Sequence, residues 1–268
     1  MKNITKAAID ASMKQTSELT EENLRVQLAY LYRIFDYYGW CDLIVTHLSV
    51  RIPSENTILI NPFGLTFREI TPENLVKIDL DGNVLESKSR LPNNKNGSTV
   101  HRAVYRQNPN INCILHTHSH YGVAVSALQE KLMLLDQIGM MFYNKVGYHD
   151  FEKLFINDAT QQALIDDLQN NQCLILKNHG LLTVGNSIPE AFWFHYYLEY
   201  TCKIQVLTMS TGGKIQHASQ EAIEKTAASY DHWRDLDAQL LFEAAKRQVG
   251  ELWSSSSSQK EAQASVQF

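Results

Sequence analysis

From Thr20 to Tyr38 the apolar positions Leu24, Leu28, Leu31, Tyr32 and Phe35 recur at helical spacing. Thr20 stands where a helix cap belongs, Glu21 and Glu22 fill the first turn, and Gly39 sits where a helix ends. From residue 42 the pattern changes. "LIVTHLSVRI" and "TILINP" are β-branched runs parted by "PSEN", which predicts two strands joined by a turn. "TPENLV" has Pro in a first-turn position and predicts a short helix, and "VKIDLDGNVLE" predicts two short strands about an Asp-Gly turn.

Residues 88–97 form a polar loop, after which "STVHRAVYRQ" carries Val100, Val104 and Tyr105 on one side of a helix. "NPNINCILHTH" leaves that helix through a proline turn and enters a buried strand. "HYGVAVSAL" and "DATQQALIDDLQ" read as helices, and "NQCLILKNHGLLTVG" as two strands flanking Asn178, His179 and Gly180. Ser187, three residues before Glu190, begins a long and largely buried helix whose aromatic stretch "AFWFHYYLEY" is read as core or subunit interface. A further helix spans about 219–249, and the serine-rich stretch at 251–268 reads as a disordered tail. The expected organisation is an N-terminal segment at 1–19, one α/β domain at 20–250, and that tail. Short connections among the strands favour a mixed sheet over a parallel one.

Composition narrows the partners. The 268 residues are 44% hydrophobic and 20% charged, enough for one large domain, and the formal net charge is −5. No basic run is long enough to follow a phosphate backbone, so nucleic acid is not an expected partner. The beginning has no apolar leader core, and no stretch has the length of a membrane span, so no membrane partner is expected and the expected location is cytoplasmic. Cys41, Cys113, Cys173 and Cys202 are widely spaced, form no C-x-x-C pair, and read as reduced thiols, buried in apolar segments except for Cys41.

The chemistry lies in the histidines. His116 and His118 end an apolar strand at alternate positions, so they project from one face of a sheet. A second apolar run ends in His179 followed by Gly180. Two strand ends adjacent in one sheet would bring three imidazoles around one ion, and three histidines with an open position define a catalytic metal site. Spacing alone equally admits strand-end histidines with ordinary hydrogen-bond partners.

Five segments add a resemblance: "THLSVRIP" (46–53), "ILINPFGLTFREITPENLVKIDLDGNVLE" (58–86), "HRAVYRQNPNINCILHTHS" (101–119), "YHDFE" (148–152) and "LILKNHGLLTVGNSIPEAFWFHYYLEYTCKIQ" (174–205). In order and spacing the chain resembles the class II aldolase/adducin family over most of residues 20–210. The resemblance implies a three-layer α/β/α sandwich around a mixed central sheet, commonly assembled as a homotetramer with active sites near subunit boundaries. It implies a zinc ion on His116, His118 and His179, with Fe2+ or Mn2+ as alternatives. In the family's sugar-phosphate aldolases the metal stabilises charge on a ketone oxygen during C–C cleavage.

The chain also departs from that pattern. The aldolases place a Glu four residues before the His that matches His101, and it serves as general acid/base; here the position is Gly97. Thr46 and His47 replace the aldolases' Gly-Asn, and Lys95 and Asn96 replace a serine pair of their phosphate site. Gly97, "HLSVR" and "YHDFE" are closer to the adducin-like branch, although adducins generally lack the three metal histidines retained here. His47 is the first candidate substitute acid/base, followed by Asp136, Tyr143 and the Tyr148-His149-Asp150 group, with His120 as an outer neighbour of the metal. Candidate substrate contacts are Ser49, Arg51, Asn61, Gly64 and Lys95. The expected function is a metal-dependent lyase performing aldol cleavage or decarboxylation of a small hydroxy-carbonyl substrate. The alternatives are a non-haem iron oxygenase on the same three histidines and an adducin-like binding or scaffold protein without catalysis.

Overall fold

The computed structural model describes residues 20–151 and 158–264. Helix α1 (Glu21–Tyr38) is capped as expected: the Thr20 side chain accepts from the Asn23 N–H, and Gly39 takes the left-handed conformation at φ 71°. Strands β1 (His47–Ile52), β2 (Thr57–Ile60), β3 (Val76–Asp79) and β4 (Val84–Glu86) form an antiparallel meander. Helix α2 (Lys95–Gln107) and strand β5 (Cys113–Thr117) come next, then helix α3 (His120–Ser126), strand β6 (Val146–His149) and helix α4 (Asp158–Leu168). Strands β7 (Cys173–Leu176) and β8 (Gly180–Gly185) make a tight hairpin, and the long helices α5 (Ile188–Ser210) and α6 (Gln220–Ala264) follow.

The eight strands form one sheet in the order β4-β3-β2-β1-β5-β8-β7-β6, with β6–β7 as its parallel pair and the other pairs antiparallel. Side-chain alternation divides the sheet cleanly. Leu48, Val50, Leu115 and Leu181 face α1, α3, α5 and α6, which cover one side with Phe35, Phe192, Trp193 and Phe242. Ile58, Ile114, Leu174 and Leu182 face the other side, under α2 and α4. The result is the expected three-layer α/β/α sandwich on a mixed sheet. Each fully buried large apolar side chain contributes roughly 1.5–3 kcal/mol of transfer free energy to it. No helix among the described residues is long and apolar enough to cross a membrane.

Four local expectations differ from the structure. "TPENLV" is not a helix: Asn74 closes it as a turn, accepting from the Thr71 N–H and donating to the Glu69 carbonyl. The helical turn lies just upstream, at Phe67–Glu69, where Thr66 and Glu69 form a capping box. Helix α2 begins at Lys95, inside the expected loop, because Asn94 caps it by accepting from the Gly97 N–H. Strand β6 carries no apolar alternation and escaped the pattern. The backbone of α6 runs through the serine-rich stretch expected as a disordered tail, as far as Ala264; serine costs a helix only a fraction of a kcal/mol per residue and "QKEAQA" is rich in helix formers. The expected N-terminal segment 1–19 and residues 265–268 of that tail lie outside the described residues.

Candidate metal centre

His116 is the penultimate residue of β5 and points to the α2 side of the sheet, as the alternation with Leu115 requires. His118 follows at the same phase. His179 stands in the β7–β8 turn, where Asn178 adopts φ 57° and the His179 N–H donates to the Leu176 carbonyl and the Ser126 hydroxyl. Gly180 makes that placement possible: any Cβ there would fall on the Thr117 carbonyl oxygen of the neighbouring strand. The three ring centroids lie 4.8 Å apart in every pairing.

The hydrogen bonds behind the rings decide what the rings can do. His116 Nδ1 lies 2.9 Å from the Leu181 carbonyl, which can only accept, so this nitrogen carries the proton. His118 Nδ1 lies 3.0 Å from the Asp42 carboxylate and donates likewise. Both Nε2 lone pairs therefore face each other at 3.1 Å. Such an approach is repulsive unless a cation lies between the lone pairs. With His179, ligand atoms of all three residues fall within 4.8 Å of one another, against roughly 3.3–3.5 Å between ligand atoms of tetrahedral zinc. Burial holds His116 well below its ordinary pKa and lowers His179 to about 4, so both rings remain in the neutral, ligating form at neutral pH. The donor set fits a divalent ion such as zinc, with Asp42 and the Leu181 carbonyl as the outer partners that orient two ligands.

His47, on β1 opposite His116 in register, lies with its ring centroid 4.9 Å from that of His116. It fills the space above Gly97. A Cβ at residue 97 would stand 2.5 Å from His47 Cγ and 2.7 Å from Nε2. The imidazole therefore occupies the volume from which a side chain at residue 97 would project, and the two substitutions noted in the sequence are one structural exchange.

A hydrogen-bonded chain runs from His47 into the core. His47 Nδ1 lies 3.0 Å from His101 Nε2, and His101 Nδ1 lies 2.6 Å from the Ser49 hydroxyl. That hydroxyl lies 2.9 Å from Tyr105 Oη, which donates to the Ser49 carbonyl. Donors assigned outward from that carbonyl give Ser49 O–H to Tyr105, His101 Nδ1–H to Ser49, and His47 Nδ1–H to His101. His47 Nε2 is then the acceptor end, and it has no protein partner among the described residues. Burial pushes both His47 and His101 well below the usual histidine range.

The other sequence candidates divide sharply. Lys95 lines the same cavity as His47 and the triad, and so do His149 and Asp150. His149 Nδ1 bonds to Asp167 at 2.8 Å, and Asp150 pairs with Lys177. Ser49 lies beneath His101 rather than in the cavity. Arg51 is committed to the protein, donating to Asn56 Oδ1 and to the carbonyls of Ile111, Tyr105 and Asn108, where it neutralises the C-terminal end of α2. Asn61 is buried and accepts from Tyr32 Oη at 2.8 Å. Gly64, at φ 108°, belongs to the loop beside it, and its neighbour Phe63 lines the cavity in its stead.

Asp136 and Tyr143 lie away from the cavity. Asp136 caps the helical turn Gly139–Phe142 through the Gly139 N–H, and Tyr143 exchanges hydrogen bonds with Gln220 and Glu224 of α6. Tyr148 points to the opposite side of the sheet, where it accepts from the Leu132 N–H. His120 opens α3 and is exposed. Asp42 had no sequence signal: it reaches His118 only because the antiparallel β1–β5 pairing lays its loop beside the end of β5.

The family model described as Class II Aldolase and Adducin N-terminal domain matches residues 26–206. A protein of Pseudomonas aeruginosa named as an aldolase class 2 protein is 38% identical over 210 residues, covering 78% of this chain and 81% of its own length. Rat alpha-adducin is 37% identical over 196 residues, 72% of this chain and 26% of the adducin, so the match spans about a quarter of that protein. Among solved structures, an aldolase II superfamily protein from Pseudomonas syringae superposes with a TM-score of 0.84 at 33% identity, covering 90% of this chain and 97% of that one. The L-fuculose 1-phosphate aldolase of Glaciozyma antarctica superposes with a TM-score of 0.76 at 28% identity over 92% of this chain and 94% of its own. The chain belongs to the class II aldolase/adducin family.

Proposed function

We propose that the protein is a metal-dependent lyase acting on a small hydroxy-carbonyl compound, by aldol cleavage or decarboxylation. The observation that carries the reading is the tautomer pattern: two triad nitrogens are held as donors to protein oxygens while their partner nitrogens meet at 3.1 Å. His116, His118 and His179 would hold the ion, with zinc favoured by the all-imidazole set and Fe2+ or Mn2+ as alternatives. A bound zinc ion supplies Lewis-acid stabilisation of negative charge developing on a substrate oxygen. His47 takes the acid/base role that Gly97 cannot provide. His47 lines the cavity, and the His101–Ser49–Tyr105 chain fixes its ring in the tautomer that leaves Nε2 as an acceptor. Lys95, on the same wall, is a contact for an anionic group of the substrate.

The exposed Trp233, Leu207 and Leu240 on α5 and α6 support assembly into a homo-oligomer, proposed as a tetramer acting in the cytoplasm. A second reading, an adducin-like binding protein, is favoured by the alpha-adducin match and by the missing carboxylate at residue 97. Elemental analysis of protein purified without added metal separates the two. The lyase reading expects about one zinc per chain in the parent and none in a folded His118→Ala variant. Absence of metal from every preparation would favour the binding protein, and full occupancy in His118→Ala would remove the triad as the ligand set.

A further inference from the structure

The three histidines of the candidate metal centre are a small part of the lining of a cavity of about 600 Å3. Beyond the imidazoles the wall is largely hydrocarbon: Val100 and Ala103 from α2, Leu164 from α4, and Leu176 and Leu182 from the strands beneath. The arrangement follows from the fold. Val100 and Ala103 lie three and six residues beyond Gly97 on α2 and line the cavity with it. Leu182 is the cross-strand neighbour of His116, and Leu164 packs from α4 onto the same side of the sheet. No arginine lines the cavity among the described residues. Of its charged groups besides histidine, Lys177 and Asp150 neutralise each other and Lys95 stands at the N-terminal end of α2. Asn93, Asn94, Asn96 and Gln161 supply uncharged polar groups to the lining. A phosphorylated or polyhydroxylated body placed against the hydrocarbon part would lose water and regain few hydrogen bonds there.

We propose that the substrate is amphipathic: a hydroxy-carbonyl head at the triad, carrying an aryl or branched-alkyl body that packs on Val100, Ala103, Leu164 and Leu182. The proposal rests on the lyase reading for its head and on the wall alone for its body. Cavities of this size enclose ligands well beyond a three-carbon fragment.

Benzohydroxamate and acetohydroxamate test the two parts separately, because they present the same two chelating oxygens on a phenyl and a methyl group. Calorimetric titration of the metal-containing parent should show benzohydroxamate binding about tenfold tighter or more, from the added apolar area buried. Val100→Asn should reduce that advantage to near unity while leaving acetohydroxamate affinity as in the parent. Leu164→Gln serves the same purpose if Val100→Asn does not fold. In His118→Ala acetohydroxamate binding should vanish, while saturation transfer to the phenyl protons of benzohydroxamate persists. Equal affinities in the parent, or tighter acetohydroxamate, would overturn the proposal. Absence of phenyl saturation transfer from parent and variant alike would overturn it too. Phenyl transfer in both proteins with no heat from acetohydroxamate in either would support the apolar body and reject the metal-bound head.

Discussion

Imidazoles meet the end of strand β5 on both sides of the sheet, His116 from the strand itself and His195 from α5, and the two sides use them in opposite ways. On the α5 side His195 is fully buried. Its Nε2 lies 3.0 Å from the Thr117 hydroxyl and its Nδ1 3.0 Å from the Thr183 hydroxyl, with Glu199 3.6 Å from Nε2. Both nitrogens are consumed, and Phe35 and Trp40 pack on the ring. On the α2 side one nitrogen each of His116 and His118 is consumed, and the other is aimed at a shared point beside a cavity. The side chains between them in sequence alternate, so residues 116, 117 and 118 serve the two arrangements in turn. A satisfied polar knot rigidifies the strand from behind, and an unsatisfied convergence in front supplies a place for an ion. Histidine alone is no sign of chemistry; what its second nitrogen faces is.

The largest effect that sharpens this contrast is on stability. His195→Ala leaves Glu199 and two threonine hydroxyls buried around a cavity, and should cost about 3–5 kcal/mol in urea unfolding. His118→Ala in metal-free protein should cost less than about 1 kcal/mol, since that ring is partly exposed and its loss removes lone-pair repulsion. Equal costs would erase the distinction between the two sides.

Next comes Gly97. At an ordinary helix position Gly→Ala gains roughly 0.5–1 kcal/mol. Here Gly97→Ala drives a methyl into His47 and should lose about 2–3 kcal/mol instead. Combined with His47→Ala, most of that loss should disappear, a coupling readable in a double-mutant cycle without knowledge of the substrate. Additive losses would mean that His47 does not occupy the space over residue 97.

The smallest effect assigned to a single group is on pH. His179 is lowered to about 4 by burial, and His47, His101 and His116 are lowered in the same direction. The unfolded chain, with histidines near 6.5, then binds more protons than the folded one between about pH 6.5 and 4. Stability of metal-free protein should therefore fall as pH drops through that window, by about 1–2 kcal/mol between pH 7 and 5 from His179 alone. Chemical denaturation across this range reads the slope, and a flat profile would place these rings in water.

The parts of this picture legible in the sequence are those governed by local period. Strand alternation placed His116 and His118 together, and the run into His179-Gly180 marked a strand that stops to present a ring. The resemblance named His47, Ser49 and Arg51 as candidates, but it could not say that the carbonyls ending α2 would absorb Arg51. Asp136 and Tyr143 come from a stretch with no periodicity: Asp136 is taken up by the Gly139 N–H of its own turn, and Tyr143 by Gln220 and Glu224 of α6, 77 and 81 residues away. Asp42 depends on the β1–β5 register, a non-local fact. The Gly97 and His47 departures were each visible alone, whereas their steric exchange needed three dimensions.

X-ray absorption at the metal edge of protein purified without added metal tests the central claim most directly. The account predicts three imidazole nitrogens at about 2.0–2.1 Å, with the multiple-scattering pattern of three rings and a light-atom remainder. A first shell of oxygens alone, or one containing sulfur, would contradict it.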